Sequence, residues 1–88
     1  MIIAKIHIFG PMTMDVFNML SLDEKADVVW SGTFLSDRIK DEFCIQLYSL
    51  PDFYVEVFYE VKANKIVDFR PFTDKQALVP YLAQIKLI

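Results

Sequence analysis

Apolar and polar residues alternate along residues 2–9. Ile2, Ala4, Ile6 and Ile8 fall on one side and Ile3, Lys5, His7 and Phe9 on the other, the period of a β-strand, which Gly10-Pro11 ends. The period then lengthens. In "SLDEKADVVWSG", residues 21–32, Leu22, Ala26, Val29 and Trp30 form the apolar stripe of an amphipathic helix. Its start is marked by Ser21 and Glu24, spaced so that the hydroxyl accepts from the Glu24 amide while the carboxylate reaches back to the Ser21 amide. Asp23 and Glu24 suit the positive end of the helix dipole, and Gly32 is the expected left-handed stop. Residues 13–20 predict a short preceding helical turn with Val16, Phe17 and Leu20 facing inward.

Strands are predicted at roughly 33–39, 42–50, 53–61 and 65–72, joined by connections short enough to make neighbours antiparallel hairpins. Pro51 supplies the fixed φ of a turn, and Asn64 tolerates a left-handed backbone. A last helix follows, capped by Thr73 with Gln76 in the reciprocal position; Ala77, Leu78, Tyr81, Leu82 and Ile85 make its inward stripe, and Pro80 kinks it. The order β-α-β-β-β-β-α defines an α+β fold in two layers: an antiparallel meander of four strands, or five with residues 2–9, carrying helices on one face. Residues 1–88 read as a single domain, with 1–13 as an N-terminal strand extension.

Residues 52–60, "DFYVEVFYE", depart from simple alternation, because aromatic rings fall on both sides of the strand. Loops of three residues at 50–52 and 63–65 would set Leu47 opposite Val55, Ile45 opposite Val57 and Tyr59 opposite Phe69. Odd-numbered residues then face the helices. The other face collects Cys44, Gln46, Tyr48, Tyr54, Glu56, Phe58, Glu60, Asp68 and Arg70. A tighter turn at 51–52 with a longer one at 61–64 flips these partners and sends Glu56 into the core. Burial of that carboxylate unpaired costs several kcal/mol, on the order of the penalty for an isolated buried charge, and this favours the first register.

Apolar residues make up 55% of the 88 and aromatics 15%, more than one small core needs, so the surplus calls for a covering partner. The net charge of −3 and the absence of any Lys/Arg run predict neither nucleic-acid nor anionic-membrane binding. The opening "MIIAKIHIFG" has the marks neither of a signal peptide nor of a membrane span, and the single cysteine gives no disulfide framework, so a cytoplasmic location is expected. Cys44 and His7 are the sole thiol and imidazole; Cys44 sits in an apolar run, as an inert buried thiol does, and one Cys with one His cannot build a zinc tetrad. Glu60 and Asp68 are predicted near one another across a hairpin, but no loop supplies clustered ligands for an oxygen-bound metal. Trp30 reads as core. No catalytic residue, metal or cofactor is predicted.

The segments "FNMLSLDEKADVVWSGTFL", "LYSLPDFYVEVFYEVKANKIVDFRPF" and "LVPYLAQIKL" resemble a family of short bacterial proteins of unknown function, over residues 14–88. That resemblance implies the capped helix, the aromatic hairpin and the terminal Pro-Tyr-Leu helix, and no activity. The expectation is a small binding protein, a homodimer or a partner of another protein, that associates through the helix-free sheet face. Tyr48, Tyr54, Glu56, Phe58 and Arg70 are its contact candidates. The alternative is a small-ligand receptor or enzyme with a pocket around Glu56, Arg70 and the nearby tyrosines.

Overall fold

The computed structural model describes residues 12–82. Two α-helices, α1 (Met14–Asn18) and α2 (Leu22–Trp30), precede four strands, β1 (Thr33–Lys40), β2 (Phe43–Ser49), β3 (Tyr54–Glu60) and β4 (Lys65–Phe72), and a 3-10 helix, Lys75–Tyr81, follows them. The strands form one antiparallel sheet in the order β1-β2-β3-β4, so the fold is the α+β meander that the pattern predicts. The predicted strand at 2–9 lies outside the described residues. Among those residues no helix is long and apolar enough to cross a membrane.

The helix signals act largely as expected. Ser21 Oγ accepts from the Glu24 amide at 3.2 Å, and Glu24 Oε1 accepts from the Ser21 amide at 2.9 Å, which satisfies two otherwise free donors at the start of α2. Gly32 does a different job from the left-handed stop assigned to it. Ser31 closes α2 in right-handed geometry, while a Cβ on Gly32 would lie 2.6 Å from both Leu50 Cδ2 and the Ser49 carbonyl oxygen. The missing side chain lets α2 leave hard against the end of β2. Left-handed backbone falls instead at Asp41 and Asn64, with φ of 56° and 53°, in the two outer hairpin turns.

The register of β2 against β3 is the disfavoured one. The Leu50 amide donates to the Phe53 carbonyl at 2.8 Å across Pro51-Asp52, which places Leu47 opposite Glu56, Ile45 opposite Phe58 and Tyr48 opposite Val55. The tight turn carries Leu50 and Phe53 into the core with Phe17, Val29, Val55, Val57 and Phe69. Between β3 and β4 the loop is the longer 61–64, and Val67 bulges out, so that Tyr59 pairs with Ile66 but Phe58 with Asp68. This bulge brings Val57 opposite Phe69 and keeps Val55, Val57, Ile66 and Phe69 on one face.

The sheet therefore has two buried faces. Val55, Val57 and Phe69 pack against α1 and α2, whereas Ile45, Leu47 and Phe58 are buried on the other side. There the 3-10 helix brings in Tyr81, fully buried and bonded to Glu56. Helices on one face alone, as predicted, is thus true of α1 and α2 but not of the terminal helix, which crosses from β4 at one sheet edge to contact β1 at the other. Its form also differs. Asp74, not Thr73, caps it by accepting from the Gln76 amide at 2.9 Å. Pro80 has no N–H to donate, and the tighter bonds Ala77 to Asp74 and Leu82 to Val79, at 3.0 and 3.1 Å, hold the turn instead.

Candidate functional site

Pairing across the sheet lines up Ser36, Leu47, Glu56 and Arg70 in one row of the second face, and Arg38, Ile45, Phe58 and Asp68 in the next. Glu56 lies on β3, in the middle of the sheet, and its Oε2 accepts from Arg38 Nη2 at 3.2 Å and from the Tyr81 hydroxyl at 2.6 Å. The Arg38 guanidinium also lies 5.3 Å from the centre of the Tyr81 ring. Burial lowers the affinity of Arg38 for its proton, but bonds to Tyr81 and Glu56 outweigh it and raise the pKa overall. Burial, then the bond to the Glu56 carboxylate, pushes the Tyr81 hydroxyl well above the ordinary tyrosine range, with Arg38 pulling the other way. The carboxylate, predicted to face a partner, is therefore spent on its own chain. Arg38 Nε is buried with no bond.

Beside this node Arg70 lies with its guanidinium 4.3 Å from the centre of the Phe58 ring, held there by Asp68 Oδ2 at 2.7 Å. Phe58 is 9% exposed and meets Phe43 edge-on, so it belongs to the core more than to a docking surface. Tyr54 stacks on Phe72 further along the same face. Lys40, Asp41, Phe43, Phe58, Val67, Asp68 and Arg70 line a cavity of about 230 Å³.

Tyr48 is elsewhere. Its pairing with Val55 turns it to the side of α1 and α2, where its ring meets Trp30 at 5.4 Å and Phe34 at 5.6 Å between centres. Trp30 also touches Phe69 edge-on, but it is 47% exposed and Phe34 is 49% exposed, so these rings open to solvent. Ile39, 72% exposed, shares that face of β1. Among the described strands β1 lies at one edge of the sheet, where its register shifts between Phe34 and Ser36 and where Asp37 and Lys40 are exposed, features that disfavour strand addition.

Of the five predicted residues, the fold gathers Tyr54, Glu56, Phe58 and Arg70 on one face and sets Tyr48 on the opposite one. Arg38, Tyr81 and Phe34 were missed. The signal for Arg38 was present: the chain holds only two arginines, and a carboxylate on a central strand needs one of them. Trp30, read as core, is a half-open ring. Cys44 is half-buried, and His7 lies outside the described residues. Glu60 pairs with Lys65, not with Asp68, and among the described residues no three His, Cys, Asp or Glu side chains group as metal ligands do.

In class this is a small α+β domain with a four-stranded meander clothed on both faces, a locked polar node on one side and an open aromatic cluster on the other. No family model matches the chain, and neither a curated protein nor a solved structure shows significant similarity to it.

Proposed function

We propose that this chain is a small binding domain that self-associates, with the open rings Trp30, Phe34 and Tyr48 at the centre of the contact. The observation that carries this reading is half-exposure of two large rings packed on a third. Each of the half-open rings offers on the order of 100 Å² of apolar area, given the 150–250 Å² that such side chains bury when fully covered. A standard interface takes about 800 Å² from each partner, so the cluster serves as its anchor, and Ile39 with the surrounding surface supplies the rest. A second copy is the occupant, since a twofold contact needs only one self-complementary patch. A cytoplasmic setting suits a chain with one cysteine.

A second reading rests on the cavity beside Arg70. Its volume of about 230 Å³ falls below the roughly 300–1,000 Å³ of most ligand pockets, and Glu56 is already bonded to Arg38 and Tyr81, so this reading ranks second.

Sedimentation velocity across a wide concentration range tests the proposal. The wild type shifts toward a dimer as concentration rises, and Phe34→Glu stays monomeric with an unchanged circular dichroism spectrum. A wild type that remains monomeric throughout, or a folded Phe34→Glu variant that dimerises as before, overturns it.

A further inference from the structure

We infer that the terminal segment Lys75–Tyr81 is a strap that releases from the sheet as a unit while the strands and α1–α2 stay folded, and that Tyr81 is its latch. This goes beyond the self-association reading and does not depend on it. Tyr81 is the one fully buried residue of the segment, whereas Lys75, Gln76, Val79 and Pro80 are exposed. The backbone of the segment is tied by 3-10 bonds, weaker in geometry than α-helical ones, and Pro80 withholds a donor.

The surface under the strap is also separable from the main core. Tyr81 meets Arg38 on β1 and Glu56 on β3, and Ile45 and Leu47 of β2 are paired with those two residues, on the opposite side of the sheet from the cluster formed by Phe17, Val29, Leu50, Phe53, Val55, Val57 and Phe69. Lifting the strap leaves that cluster intact. It also leaves Arg38 and Glu56 paired at 3.2 Å, with water able to replace the Tyr81 hydroxyl on the carboxylate, so no buried charge is stranded by the opening. Segments with few buried side chains and exposed backbone bonds are those that open below the global unfolding free energy. Release uncovers an apolar strip of Ile45 and Leu47 on a central strand, a surface hidden in the closed form.

Thiol labelling tests this on the full chain in a Cys44→Ser background. Leu47→Cys places a probe under the strap, and Val57→Cys places one in the helix-side core; both positions are fully buried. The expected result is labelling of Leu47→Cys at least tenfold faster than of Val57→Cys, with Tyr81→Phe accelerating the first and leaving the second unchanged. Equal rates at the two positions, or equal acceleration of both by Tyr81→Phe, overturn the strap. Should either cysteine variant fail to fold, amide exchange of the wild type decides. Ala77 and Leu82 amides exchanging together, faster than those of β3 and with a smaller denaturant dependence, support it; protection equal to that of β3 overturns it.

Discussion

Replacement of Glu56 by alanine gives the sharpest test of how this sheet tolerates a carboxylate at its centre. The side chains of Arg38 and Glu56 are 23% and 14% exposed, so the pair is largely but not wholly withdrawn from water. Breaking a fully buried pair costs about 3–5 kcal/mol because the remaining charge is left unpaired, and the partial exposure of Arg38 discounts this to about 2–3. Tyr81 loses a bond to a charged acceptor as well, worth about 1.5–3 kcal/mol alone, although the two losses share one carboxylate and do not add fully. We therefore expect Glu56→Ala to lower stability by about 3–4 kcal/mol. A domain of this length holds roughly 4–13 kcal/mol in all, so the loss is a large share of it. Urea unfolding followed by the fluorescence of the single tryptophan, Trp30, measures it, with circular dichroism as the second probe. Arg38→Ala should cost a similar amount, and the double variant far less than the two together, because the charges then leave as a pair. A Glu56→Ala loss below about 0.5 kcal/mol, the scale of an ordinary surface substitution, would refute the assignment of the node as a structural anchor.

Three further outcomes follow from particular contacts. The pKa of Tyr81 is raised in the folded state by burial and by the Glu56 carboxylate, against the pull of Arg38, so the stability it confers is fully present below the unfolded value near 10 and is lost as pH rises above it. Unfolding free energies from urea titrations between pH 9 and pH 12 should fall more steeply for wild type than for Tyr81→Phe, by up to about 1.4 kcal/mol per pH unit; parallel curves would contradict it. Gly32→Ala should cost about 1–3 kcal/mol by thermal melting, since its methyl meets the Ser49 carbonyl oxygen and Leu50 at 2.6 Å, and a neutral result would remove the close-approach role of Gly32. Ser21→Ala should cost about 1 kcal/mol by opening the capping box of α2, with Ser21→Asn largely restoring it; an unchanged urea midpoint for the alanine would show the cap to be idle.

Local chemistry made much of this fold legible in the chain. The capping box of α2 is a matter of three-residue spacing, Asn64 at the outer turn of backbone freedom, and the meander of short connections that leave neighbouring strands no other partner. The odd residues of β3 face α1 and α2 as their alternation requires, whereas the bulge at Val67 shifts β4, so that Phe69 and the even-numbered Ile66 share that side. The register of β2 was not legible in the same way. Charge burial argued against setting Glu56 opposite Leu47, and that argument holds only while the carboxylate lacks a partner.

Both partners come from far along the chain, Arg38 from an edge strand and Tyr81 from the terminal helix, and their meeting depends on where those elements pack. The same choice sent Tyr48 to the helix side and left Trp30 and Phe34 half open around it. What the chain alone determined about this protein is the kind and order of its elements from α1 to β4, because helix caps, turn residues and alternation act over a few residues. Which face each strand presents was decided by tertiary structure, because a one-residue slip turns every side chain over and its energy depends on groups that only the fold brings together.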